Sequence, residues 1–245
     1  ANATTTAELA IAHMFSLSRK LPEADLSVRS GKWQRNEFVG AEVSGKTIGI
    51  VGFGTIGRLL AERCLGLKMK VVGFDPFVTQ QTFEEYGVEA KDLDGLVTVS
   101  DYITLHCPVT DGTRGLFSRE RLLAMKPGSR LINCARGGLI DEQALCDVVN
   151  SSHLAGAALD VFEQEPPTDS PLFAVPNIQF TPHLGASTEE AQTAVGVEIA
   201  HQIAAFLIDG KIINSVNVPS VDPDKLLQLN PYMELAAKLG KVLCQ

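Results

Sequence analysis

Short apolar runs alternate with helix-like periodicity through the middle of the chain. Lys46-Thr-Ile-Gly-Ile-Val51, Met69-Lys-Val-Val-Gly-Phe-Asp75, Tyr102-Ile-Thr-Leu-His-Cys107, Arg130-Leu-Ile-Asn-Cys-Ala135, Leu154-Ala-Gly-Ala-Ala-Leu-Asp160 and Ile178-Gln-Phe-Thr181 read as six strands. Helical patterns separate them. Ile56, Leu59, Leu60, Cys64 and Leu67 form one stripe, Ser118 to Met125 a second helix, and Glu142 to Asn150 a third with Asp141 as its cap. Strands separated by helices predict an α/β fold with a doubly wound parallel sheet, whose ligands sit beyond the carboxyl ends of the strands.

The flanks are helical or mixed. Thr5-Thr-Ala-Glu8 has capping-box spacing and opens a mostly apolar helix ending near Arg19-Lys20. Residues 21–45 are mixed and polar and hold Trp33, which suits either a solvated linker or an arm embracing a partner. A second capping box, Ser187-Thr-Glu-Glu190, starts a long helix running to about Asp209 and stopping at Gly210. Beyond a linker with Pro219, a last helix is expected from Tyr232 to Leu243. The expected division is 1–189 as the main domain (1–45 its helix and arm), 190–217 as a returning helix and strand, and 218–245 as a linker and the first helix of a further domain.

Composition narrows the classes. The chain has 245 residues, 45% apolar and 20% charged, and a net charge of −8. That balance argues against a nucleic-acid surface, which needs clustered Lys and Arg. No apolar run is expected to approach the roughly 20 residues that cross a bilayer, so no membrane partner is expected. The five cysteines lack C-x-x-C spacing, so neither a zinc site nor a disulfide framework is expected, and a reducing, cytoplasmic setting is the simplest reading.

The chemistry gathers at strand ends. Gly52, Gly54 and Gly57 form G-x-G-x-x-G between a strand and a helix, where a bare backbone lets a pyrophosphate reach the helix N-terminus. Asp75 closes the next strand, placed to accept from an adenosine ribose and to repel a 2′-phosphate. No arginine follows it, so NAD is favoured over NADP. Arg136, before Gly137-Gly138, suits a two-pronged grip on a small carboxylate, although a surface or capping role also fits. His183 follows Thr181-Pro182 and is the natural proton carrier near neutral pH, although a lone histidine is more often structural. Glu165, before Pro166-Pro167, could orient that imidazole or be a solvated loop acid. Asp160 could hold a nicotinamide amide or merely cap its strand. His106 suits packing better than catalysis, and His13, His153 and His201 suggest no chemistry.

Together the glycine loop with Asp75, Asn133-Cys-Ala-Arg-Gly-Gly-Leu-Ile-Asp-Glu142, Ala157-Ala-Leu-Asp-Val-Phe-Glu-Gln-Glu-Pro-Pro167 and Thr181-Pro-His-Leu-Gly-Ala-Ser-Thr-Glu-Glu-Ala-Gln192 resemble the D-isomer-specific 2-hydroxyacid dehydrogenases. The resemblance implies a Rossmann-type NAD-binding domain and a catalytic set of Arg136, Glu165 and His183. It implies cofactor contacts from Thr55 and Ile56 on the phosphates, Asp75 on the ribose, and Cys107, with Cys134, Ala135 and Asp160 near the nicotinamide and Gly185 and Ala186 close by. Within the family, the resemblance implies oxidation of 3-phosphoglycerate to 3-phosphohydroxypyruvate, the first step of serine synthesis. Glyoxylate or hydroxypyruvate reduction, or a role as an NAD-sensing corepressor of the same fold, are the alternatives. The family's N-terminal substrate lobe is absent from the chain, which is therefore expected to be a nucleotide-binding fragment of a homodimer or larger homo-oligomer.

Overall fold

The computed structural model describes residues 2–217 and 223–243, with side chains of 223–228 left aside. They fall into two units, residues 2–191 and residues 192 onward. The expected linker around Pro219 lies outside the described residues.

Seven parallel strands form the core of the first unit. They are β1 (Thr47–Val51), β2 (Lys70–Phe74), β3 (Glu89–Ala90), β4 (Tyr102–Leu105), β5 (Arg130–Asn133), β6 (Gly156–Leu159) and β7 (Ile178–Phe180). Their spatial order is β3-β2-β1-β4-β5-β6-β7, so successive strands are added to one side of β1 and then, from β4 on, to the other. The crevice between β1 and β4 is where a doubly wound sheet binds its ligand. The expected fold class is thus the observed one.

Strand alternation explains why both faces are covered. Ile48, Ile50, Tyr102, Ile132 and Ala158 point into one core, under α1 (Ala3–Arg19) and α3 (Thr55–Gly66). Val51, Ile103, Leu105, Leu131, Ala157 and Leu159 point into the other. There they meet α5 (Leu93–Val99), α6 (Arg119–Ala124) and α7 (Glu142–Asn150). Runs that are apolar on both faces mark a parallel sheet buried under helices. Removing these side chains from water is the main stabilising term.

Several elements depart from expectation. β3, α4 (Gln80–Glu85) and α5 were not anticipated: β3 is two exposed edge residues, and the helices are six and seven residues long. Such lengths hardly complete a hydrophobic period, and the helices are set by local caps, Thr79 accepting from Thr82 N and Asp92 from Gly95 N. The 21–45 arm begins with α2 (Leu21–Arg29), which has Pro22 in its first turn. α1 starts at Ala3 with no side-chain cap, and its threonines turn elsewhere: Thr5 Oγ1 meets Thr188 Oγ1 at 3.3 Å and Thr6 Oγ1 donates to the Gly185 carbonyl at 2.8 Å. Asp141 does cap α7, accepting from Ala144 N at 2.9 Å.

The second unit contains most of α8 (Glu189–Asp209) and α9 (Pro223–Leu243). Thr188, rather than Ser187, caps α8 by accepting from Ala191 N at 3.2 Å. α9 starts at Pro223 rather than at the expected Tyr232 and runs through Pro231, a residue that lacks the N–H of a helix interior. α8 also corrects the expectation about apolar length: its 21 residues, at a mean hydropathy of 1.3 over the best window, are enough by length and composition to cross a membrane. Gln192, Glu198, His201 and Gln202 interrupt the run and hid it from a reading by contiguous apolar stretches. Core helices of soluble proteins have the same length and composition.

Candidate active site

The glycine loop leaves β1 and packs so closely that side chains are excluded. A Cβ on Gly57 would lie 2.2 Å from the Gly52 carbonyl oxygen, and Gly52, at φ +96°, has the His106 carbonyl oxygen 2.5 Å from where its Cβ would be. Gly52 N donates to Phe74 O at 2.8 Å, binding the loop to the end of β2. Gly54 then starts α3 with no side chain capping it, and a Cβ there would meet nothing within 4 Å. A helix N-terminus with uncapped amides beside open space fits a phosphate. Thr55 and Ile56 open the first turn of α3.

Asp75 stands at the end of β2 with its carboxylate already oriented. Oδ2 accepts from Phe53 N at 2.8 Å and Oδ1 from Phe77 N at 2.9 Å. Each oxygen keeps a second lone pair for a ribose hydroxyl. Cys107 lies beyond β4, and burial, with the Asp75 charge adding to it, pushes its thiol up to about 11. Cys134, past β5, is 5% exposed, and its thiol is also raised, by burial first and then by the Asp160 charge. Both are neutral packing groups at pH 7 rather than nucleophiles.

The turn after β5 carries Arg136. Asn133 folds it, its Nδ2 donating to Arg136 O at 2.9 Å and its Oδ1 accepting from Ala135 N at 3.0 Å. Arg136 Nη1 donates to Ala135 O at 2.6 Å, and the side chain is exposed. Gly137 touches the loop that follows β6: its Cβ would sit 1.7 Å from Phe162 O, so only glycine permits the contact. That approach brings Arg136 into the field of Glu165. Glu165 Oε1 accepts from Phe162 N at 3.0 Å, and Oε2 meets His183 Nδ1 at 2.7 Å. Burial disfavours the Glu165 carboxylate, but the hydrogen bonds from His183 and Phe162 N and the charges of His183 and Arg136 outweigh it and hold its pKa below the usual value. The ionised Glu165 orients the imidazole. With Nδ1–H donated to it, His183 Nε2 is left as the acceptor in the neutral ring.

His183 sits at φ +55°, a left-handed conformation uncommon for a side-chain-bearing residue. Asp160 organises the turn around it. Fully buried at the end of β6, its carboxylate accepts from Thr181 Oγ1 at 2.5 Å, Leu184 N at 2.7 Å and Gly185 N at 2.9 Å, while its carbonyl accepts from His183 N at 3.0 Å. Gly185 is buried and Ala186 partly so.

Glu165 and His183 therefore meet directly, with the Arg136 charge acting on Glu165, and Gly52, Gly54, Gly57, Thr55, Ile56 and Asp75 form a continuous loop-to-strand cradle. Asp160 turns its carboxylate inward on its own turn. His13, expected to carry no chemistry, also reaches this region: its Nε2 lies 3.0 Å from Thr181 Oγ1. Its only signal was a polar ring on the buried stripe Ala7, Ala10, Met14 and Leu17 of α1.

Residues 11–185 match the family model described as D-isomer specific 2-hydroxyacid dehydrogenase, NAD binding domain. The chain belongs to that family. It is 45% identical over 244 residues to a D-3-phosphoglycerate dehydrogenase of Synechocystis sp., covering all of this chain and 44% of that one. With the D-3-phosphoglycerate dehydrogenase of Bacillus subtilis it shares 42% over 244 residues, again all of this chain and 46% of the relative. The chain thus spans less than half the length of these relatives. Among solved structures, NAD-dependent formate dehydrogenase from Staphylococcus aureus in complex with NAD superposes with a TM-score of 0.81 at 33% identity, over 87% of this chain and 64% of that one.

Proposed function

We propose that this chain is the cofactor-binding and proton-transferring part of a D-3-phosphoglycerate dehydrogenase, oxidising 3-phosphoglycerate to 3-phosphohydroxypyruvate at the entry to serine synthesis. The observation that carries the reading is the Glu165–His183 pair, 2.7 Å apart, with the Arg136 charge acting on the same carboxylate. The names of the relatives support the substrate. NAD, when bound, accepts the hydride from substrate C2. This chain's residues do the rest. The α3 amides and Asp75 hold the dinucleotide, Arg136 binds the substrate carboxylate through paired N–H groups, and His183 Nε2 takes the hydroxyl proton while Glu165 stabilises the imidazolium that forms.

The assembly we propose is a homodimer or larger homo-oligomer. It is supported by Leu26, Trp33 and Val39, which are 68%, 80% and 75% exposed on the arm after α1. The apolar face of α8, with Ile199, Ile203, Phe206 and Leu207 half-exposed or more, suits cover by a substrate-binding lobe. A cytoplasmic setting is supported by the free thiols of Cys64, Cys107, Cys134 and Cys146. The deciding experiment follows NADH formation by the whole enzyme of which this chain is proposed to be part, because the chain alone is expected to bind NAD but turn over poorly, with D-3-phosphoglycerate, glycolate and glycerate as substrates. Preference for D-3-phosphoglycerate is expected. Preference for glycolate or glycerate would move the assignment to the glyoxylate or hydroxypyruvate reductases, and NAD binding without turnover of any of them would favour a sensor.

A further inference from the structure

The buried face of α1 is apolar except at Thr6, His13 and Ser18. Ser18 is satisfied within its own layer, donating to Met14 O and meeting Tyr102 Oη at 2.8 Å. His13 is different. An imidazole costs free energy to bury unless it is hydrogen-bonded, and His13, 6% exposed, directs Nε2 at the hydroxyl of Thr181.

Proton counting fixes the direction of that bond. Thr181 Oγ1 gives its single proton to Asp160 Oδ1, so toward His13 it can only accept. His13 Nε2 is therefore the donor. Burial keeps His13 below the ordinary histidine pKa, with the Asp160 charge opposing, so the ring is neutral at pH 7 and its one N–H faces Thr181.

Beyond Thr181 the chain of bonds reaches the His183 turn. Asp160 takes the amides of Leu184 and Gly185 on its two carboxylate oxygens and the amide of His183 on its carbonyl. A side-chain-bearing residue keeps a left-handed conformation only where its surroundings impose it, and here those contacts converge on Asp160. We propose that His13 is a positioning residue for His183: by donating to Thr181 it commits that hydroxyl to Asp160, and so holds turn 181–185 in the conformation that presents the His183 ring to Glu165. The inference rests on the reading of His183 as the catalytic base.

The test uses His13→Met, which removes the donor at similar volume, His13→Gln, whose Nε2 lies the same number of bonds from Cβ, Thr181→Val, and the His13→Met/Thr181→Val double variant. Amide exchange is measured on the cofactor-free protein, so it judges the turn even if the dehydrogenase reading fails. Exchange at Leu184 and Gly185 is expected to be about tenfold faster in His13→Met and near wild type in His13→Gln. In the double variant it should be no faster than in Thr181→Val alone, because the effect runs through Thr181. In turnover by the whole enzyme, kcat should fall about tenfold in His13→Met and recover in His13→Gln, with KM for NAD within about twofold, as expected for a misplaced base. Unchanged exchange in His13→Met, or effects that multiply in the double variant, would overturn the inference. So would faster exchange with undiminished kcat in an active enzyme. A whole enzyme without turnover of any of the three 2-hydroxy acids would instead count against the proposed function.

Discussion

Replacing Gly54 by alanine should separate cofactor binding from folding. Its Cβ would enter open space, at φ −73° and ψ −160°, angles open to alanine. The stability cost is then limited to the weaker N-cap, at most about 1 kcal/mol. Gly52 is the contrast: there a Cβ meets His106 O at 2.5 Å with φ at +96°. A left-handed L-residue costs about 1–2 kcal/mol and overpacking about 1–3, so Gly52→Ala should lose roughly 2–5 kcal/mol. Against a total of about 5–15 kcal/mol, that threatens the fold itself. Gly54→Ala should instead hold a phosphate away from the α3 amides. Hydrogen bonds to a charged group contribute about 1.5–3 kcal/mol each, so losing one weakens binding on the order of 10- to 100-fold. Urea unfolding gives the stabilities, and quenching or enhancement of NADH fluorescence gives the affinities. A folded Gly54→Ala that binds NADH as tightly as wild type would refute the placement of the pyrophosphate.

Four further outcomes are expected. Asp75→Ser should narrow the preference for NAD over NADP, measured by competitive titration, and equal affinities in the wild type would remove Asp75 from the ribose. His183→Asn should lower kcat by roughly 10²–10⁴-fold, the range for a lost general base, and Glu165→Gln by less, with NAD affinity nearly unchanged in both; near-normal turnover in His183→Asn would discard the acid–base scheme. Stability should fall on acidification: burial lowers the His106 pKa to about 4 and that of His13 in the same direction, so the unfolded chain binds protons more readily. The contribution is whole above the unfolded value of about 6.5 and declines as pH drops toward the folded one; for His106 it amounts to about 2 kcal/mol between pH 7 and 5, and His106→Gln should flatten that slope in urea titrations. Light scattering should return a dimer or larger, and a monomer at micromolar concentration with Trp33 fluorescence unchanged on dilution would contradict the assembly.

Much of this was legible because parallel sheets write themselves plainly. The runs ending at Val51, Asp75, Cys107, Ala135, Asp160 and Thr181 are apolar on both faces, and their ends carry the polar groups that matter. β3, α4 and α5 were not legible, since two exposed residues and two short helices have no hydrophobic period to read. Nor was the action of the Arg136 charge on Glu165, which goes with Gly137 lying against the Phe162 carbonyl, a contact between segments about 25 residues apart. His13 and Thr181 are 168 residues apart, and only the packing of α1 on the sheet joins them. The inward turn of Asp160 was hidden for a like reason: a strand-end acid looks the same in sequence whether it faces a ligand or its own backbone amides.

The most direct test is a crystal structure of this chain soaked with NAD. The pyrophosphate should lie on the amides of Thr55 and Ile56, with an adenosine ribose on Asp75 and the nicotinamide at the Arg136–Glu165–His183 end of the sheet. A dinucleotide bound away from the Gly52–Gly57 loop, or an empty cleft at saturating NAD, would contradict the account.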